Sequence, residues 1–171
     1  EDAYIMYDRL FNTGIDVYFG QFQVSDPLFK RELRLTFEDY HLYTSKIGLS
    51  DMTMKYDRGV MMTYGLPTST DLVFIVVNGN GLAEGNSMKL FDKDKFKSYL
   101  ARISQDLGEN VRLGVVGYLG KENMENNNGL EVTNKTFYYG PDATIKISDK
   151  FECNLQYLLR NDDEVFPYSQ R

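Results

Sequence analysis

Residues 151–160 alternate in chemistry almost one for one. Phe151, Cys153, Leu155, Tyr157 and Leu159 share one parity, and Glu152, Asn154, Gln156 and Arg160 take the other, with Leu158 the exception. A period of two belongs to a strand with one apolar and one polar face, and no helix produces it. The segment before it, 135–147, puts Ala143, Ile145 and Ile147 opposite Thr144 and Lys146. Residues 96–107 set Tyr99, Ala101, Ile103 and Leu107 against Ser98, Arg102, Ser104 and Asp106. Residues 111–120 set Val111, Leu113, Val115 and Leu119 against Arg112, Gly114, Val116 and Tyr118. Strands are also expected over 3–9, 15–24, 58–65 and 71–78, about eight in all.

The connections sharpen this pattern. Those at 12–14, 66–70, 108–110 and 148–150 are short, whereas 25–56, 79–95 and 121–134 are long, polar and partly rich in Asn and Gly. Antiparallel strands of about ten residues with short turns at one end and long loops at the other are the pattern of an outer-membrane barrel. A soluble β-sandwich that binds a ligand also alternates, but with strands of about 5–6 residues and no sorting of loops by end. The expected fold class is therefore all-β, an antiparallel transmembrane β-barrel. Its expected location is the bacterial outer membrane, in contact with lipid. Residues 1–171 form a single barrel domain or an internal piece of one. A self-contained eight-stranded barrel is the alternative. Tyr64, Tyr99, Tyr118, Tyr138 and Tyr139, near strand ends, are candidates for an interfacial aromatic girdle, against ordinary cross-strand packing.

Composition excludes several other classes. With 19 Lys+Arg against 25 Asp+Glu, the formal net charge is −6, which argues against a nucleic-acid partner. One cysteine and one histidine argue against a zinc cluster or a Cys/His catalytic pair; no enzyme, metal or cofactor is expected. A mean hydropathy of −0.42 does not exclude a barrel, because only every second residue meets lipid. Glu1 to Tyr4 lack a basic segment followed by an apolar stretch, so an export signal is expected upstream.

Glu1-Asp2-Ala3-Tyr4-Ile5-Met6-Tyr7, then Val17-Tyr18-Phe19-Gly20-Gln21-Phe22 and the proline-containing Ser25-Asp26-Pro27-Leu28-Phe29, resemble the phosphate-selective porin O and P family. Tyr56-Asp57-Arg58-Gly59-Val60-Met61-Met62, Val76-Val77-Asn78-Gly79-Asn80-Gly81 and Tyr99-Leu100-Ala101-Arg102 resemble later segments of that family in order and rough spacing. The resemblance implies an outer-membrane channel, usually a 16-stranded barrel that forms a homotrimer. This chain would supply an internal part of such a barrel.

The expected function is a porin-like channel for passive diffusion of small polar or ionic solutes. The alternative is a barrel acting as a structural scaffold, its lumen occupied by a periplasmic or surface partner. The polar parity supplies the candidate pore-lining residues Arg102, Ser104, Arg112, Lys146, Glu152, Asn154, Gln156 and Arg160. The other reading of these groups is cross-strand pairing that only stabilises the wall. The apolar parity, from Tyr99 through Leu159, is expected to face lipid. Residues 25–56 form a long loop or a constriction, with Lys30, Arg31, Arg34, Glu38 and Asp39 as the constriction candidates. Basic and acidic residues are interleaved and form no cationic ladder, so phosphate selectivity is not carried over from the family.

Overall fold

The computed structural model describes residues 2–25, 43, 45–82, 92, 94–125 and 129–164. The constriction candidates Lys30, Arg31, Arg34, Glu38 and Asp39 lie outside these residues. The strands are β1 (Ala3–Tyr7), β2 (Ile15–Gln23), β3 (Tyr56–Leu66), β4 (Thr70–Val77), β5 (Ser98–Leu107), β6 (Val111–Glu125), β7 (Glu131–Ser148), β8 (Phe151–Gln156) and β9 (Leu159–Asp162). All pairings are antiparallel, and the strands follow chain order from β1 to β8, with β9 also on β7. Pro141 has no N–H, and the ladder is interrupted opposite it at Tyr157–Leu158. Asp142 faces Gln156 and Tyr139 faces Leu159, so the register runs through and β8 and β9 act as one strand. The fold is thus an all-β antiparallel meander. It is an open sheet, not a closed barrel: β1 lies at one edge and β8–β9 at the other.

The strand ends depart from expectation in one place. Residues 121–134 are not a long loop: β6 runs on to Glu125 and β7 starts at Glu131, so this hairpin projects beyond its neighbours. Lys121-Glu122-Asn123 and Thr133-Asn134-Lys135 are polar on both parities, which hides the strand from a periodicity reading. At the other end, Gly108 supplies the left-handed φ of 71° in the tight β5–β6 turn.

The register sorts the side chains into two faces. One face carries horizontal rows of apolar residues. Phe19, Val60, Val76, Tyr99, Leu119 and Phe137 face one another in sequence across β2 to β7. The next row runs Val17, Met62, Phe74, Ala101, Gly117, Tyr139 and Leu159. These rows are largely open to solvent, with Leu119 at 57% and Phe19 at 52% exposure, although Val17 is buried. No second layer of the described residues covers them, as the core of a sandwich would require. The opposite face, called inner below, carries the core: Phe22, Met61, Ile75, Leu100, Tyr118 and Tyr138 among others.

Tyr118 and Tyr138 therefore do not belong to an outer girdle. They meet edge to face on the inner side, ring centroids 5.5 Å apart, and both are buried. Tyr138 and Tyr139 are neighbours in sequence, so a strand must send them to opposite faces. Tyr64, Tyr99 and Tyr139 are on the outer face. Leu158, the parity exception in the last strand, packs against the inner core.

Candidate functional site: the inner face

All eight candidate pore-lining residues fall on the inner face, but they form three groups. The first is an ionic network near the short turns. One row of the inner face reads Gly65, Asp71, Ser104, Gly114, Asp142 and Gln156 from β3 to β8. Arg102 enters this row from one side and Arg112 from the other. Arg102 holds Asp142 with two bonds, Nη2 to Oδ1 at 2.5 Å and Nε to Oδ2 at 3.2 Å, and donates from Nη1 to Ser104 Oγ at 3.1 Å. Arg112 donates to Asp106 at 3.0 and 3.2 Å, to Ser104 Oγ at 2.8 Å, and to Asp71.

Two of these ion pairs skip a strand. Arg102 on β5 reaches Asp142 on β7 over Gly114 of β6. Arg112 on β6 reaches Asp71 on β4 over Ser104 of β5. Small residues make both spans possible: a Cβ at Gly114 would sit 2.5 and 2.6 Å from the Asp142 oxygens. Two guanidiniums face three carboxylates here, so the network is mixed in sign and slightly acidic.

The second group surrounds Arg160, near the long connections. Its guanidinium donates to Asp162 Oδ2 and Oδ1 at 2.6 and 2.9 Å and to Tyr138 Oη at 2.7 Å. It also donates to the backbone oxygens of Ser45 and Met52, both at 3.2 Å, and to Ser50 Oγ at 3.0 Å. The last three partners belong to the connection between β2 and β3. Residues 45–55 thus form a strap folded against the inner face. Met52 and Met54 are fully buried, and the Asp51 N–H donates to Glu122 Oε2 at 3.1 Å. Tyr43, also buried, donates its hydroxyl to Gln156. Gly120 admits the strap, because a Cβ there would sit 2.7 Å from Met52 Sδ.

Lys146, Glu152 and Asn154 form the third group at the turn end of the last strand. Lys146 pairs with Asp149 at 3.0 Å, and Asn154 donates to Glu152 at 3.2 Å. These are exposed or half-exposed contacts, separate from the networks of Arg102, Arg112 and Arg160.

Family models, curated proteins and solved structures give no match to this chain.

One acid stands apart. Asp57 faces Phe22 on the inner side, one position beyond the outer-face pair Gln21–Arg58, the first polar row above the apolar band. It is buried, and its carboxylate accepts the N–H groups of Arg58 and Gly79, both at 2.7 Å. Burial raises its pKa to about 6, and these backbone bonds oppose the rise only in part. The sequence signalled none of Asp71, Asp142 and Asp162 as arginine partners, since each becomes one only through strand register. The visible clue to Asp142 was Gly114, a glycine inside a strand, which often marks a close approach.

Proposed function

We propose that this chain is part of an outer-membrane β-barrel channel for passive diffusion of small polar or ionic solutes. Its outer face meets lipid and its inner face lines the lumen. The observation that carries this reading is the sorting of the two faces: apolar rows continue across the sheet on one side, while Arg102, Arg112 and Arg160 all lie on the other. A one-residue slip would expose these arginines to hydrocarbon together, at roughly 2–4 kcal/mol each near the midplane.

The dimensions support the same reading. The outer face of β7 is apolar from Phe137 to Ile147, about 33 Å of strand at ~3.3 Å per residue. At strand tilts of about 40° this projects onto ~25 Å, the height of a lipid-facing band. Above it, Lys121 faces Lys135 and Asn123 faces Thr133, so the band ends abruptly in polar residues. An open sheet edge does not survive in hydrocarbon. In the membrane, β1 and β8–β9 are accordingly paired, with further strands of a larger barrel or with each other. The mixed charge of the inner face suits weak selectivity without an anion preference, and the strap narrows the lumen at the loop end.

Planar-bilayer recording of the full-length protein tests the channel. Conductance steps that are weakly cation-preferring are expected, and an insertion-competent barrel with no conductance would sink the channel. One observation favours the scaffold as a second reading: the strap already fills the loop end of the inner face. A native assembly whose lumen is plugged by another protein would favour that reading over the porin.

A further inference from the structure

The edge of the apolar band carries a cluster of lysines that the channel reading does not use. Lys121 and Lys135 are directly opposite each other on β6 and β7, on the outer face, one row above Leu119 and Phe137. Like charges placed so are unfavourable. The contacts around them do little to relieve the repulsion. Among the described residues Lys135 has only an exposed Asp163 at 3.7 Å, and Lys121 lies 5.9 Å from the Phe96 ring centroid. Lys95 lies over the same ring at 5.6 Å, and Lys97 pairs with Asp92.

These four lysines share a groove of about 700 Å³. Its floor is apolar, formed by Tyr99, Leu119 and Phe137, and it is continuous with the exposed apolar row. Among the described residues that line it, Asp163 is the one acid.

We infer that this groove holds the phosphate-bearing headgroup of an anionic lipid. The lysine ammoniums take the phosphate, and the first acyl segments lie over Tyr99, Leu119 and Phe137. Two features select a lipid over a free anion. The cations stand at the top of the apolar band, at the height where headgroups begin. The floor beneath them is apolar, which hydrated inorganic phosphate does not need. Basic residues near an anionic surface each add measurably to lipid attraction. The inference rests on the outer face meeting lipid, as proposed above.

The test uses the full-length protein purified in neutral detergent, with phosphatidylglycerol as the probe and native mass spectrometry to count bound lipid. Wild type is expected to retain phosphatidylglycerol, and the double variant Lys121→Gln, Lys135→Gln to bind it about tenfold more weakly or less. Inorganic phosphate is expected not to compete. Equal lipid retention in the double variant overturns the inference. Competition by inorganic phosphate at the lipid's own affinity also overturns it, leaving a plain anion site. A separate measurement isolates the underlying reading: Ile103→Cys in a Cys153→Ser background, carrying a fluorophore, in vesicles containing nitroxide-labelled lipid. Quenching at 103 together with unchanged lipid retention in the lysine variant would overturn the headgroup site alone. Absence of quenching would overturn both.

Discussion

Arg102 and Arg160 sit on the same face of the same sheet and are almost equally buried, with side chains 7% and 9% exposed. Each holds one aspartate with two hydrogen bonds. Their remaining partners differ in kind. Arg102 is satisfied entirely by strands, through Asp142 and Ser104. Arg160 divides its donors between the strands and the strap. The turn end is therefore a wall that braces itself. The loop end is a wall joined to a packed connection, and the guanidinium is one of the fasteners between them.

The sharpest way to break this contrast is to remove the aspartates. Asp142→Ala leaves the Arg102 guanidinium buried without its counter-ion, and a loss of about 3–5 kcal/mol is expected. Asp162→Ala is expected to cost less, about 1–3 kcal/mol, because the strap carbonyls of Ser45 and Met52 still accept from Arg160. The chain has no tryptophan, so far-UV circular dichroism during thermal melting in detergent is the suitable measurement. Equal losses at the two sites would erase the distinction.

Next comes the fastener itself. Arg160→Met keeps the volume of the side chain and removes its bonds to the strap. A stability loss of about 2 kcal/mol is expected. The functional readout distinguishes it from Arg102→Met: a freed strap gives a larger single-channel conductance and faster tryptic cleavage after Lys46. An unchanged conductance with a slow cleavage rate would show that the buried Met52 and Met54 hold the strap without Arg160.

The third test probes the span across strands. Gly114→Ala pushes a methyl group into the Arg102–Asp142 pair, with an expected cost of about 1–3 kcal/mol. Gly117→Ala, on the outer face of the same strand with no atom within 4 Å of its Cβ position, is expected to be near neutral. A comparable cost at both positions would mean that strand propensity, not the ion pair, requires the glycine.

These residues also mark how far the sequence could be read. The parity of β5, β6 and β8–β9 was legible because apolar and polar residues alternate there, and it put Arg102, Arg112 and Arg160 on one face. The partners were not legible. Arg102 and Asp142 are joined across an intervening strand, and no local pattern carries that distance. The sorting of short turns and long connections was visible, and an inward constriction within 25–56 was one of its two readings, but that residues 45–55 are the part packed on the inner face was not. Ser45-Lys46-Ile47-Gly48-Leu49-Ser50 has no period, and only Met52 and Met54 hint at a buried alternation. The β6–β7 extension was hidden for the opposite reason. Its residues are polar on both faces, because Glu122 and Asn134 meet the strap side while Lys121 and Lys135 meet the outside.

The smallest expected effect is a pH dependence confined to the loop end. Asp57 is buried and its pKa is raised to about 6, so the folded state keeps this proton at a pH where the unfolded chain has released it. Stability linked to Asp57 is therefore fully present below the unfolded value near pH ~4. It falls as pH rises toward the folded value and levels off above it. Between about pH 5 and pH 7 the expected loss is on the order of 1 kcal/mol. Asp57→Asn removes the titration, and although its amide accepts fewer backbone N–H groups, its stability should be nearly flat over this window apart from other titrating groups. The comparison of slopes is the measurement: thermal melts of wild type and Asp57→Asn at several pH values, each set against Asp142→Asn. A wild-type slope that survives Asp57→Asn unchanged would move the titrating group elsewhere. A slope of opposite sign, with stability rising between the same pH values, would mean that the bonds from Arg58 and Gly79 outweigh burial and hold the carboxylate ionised.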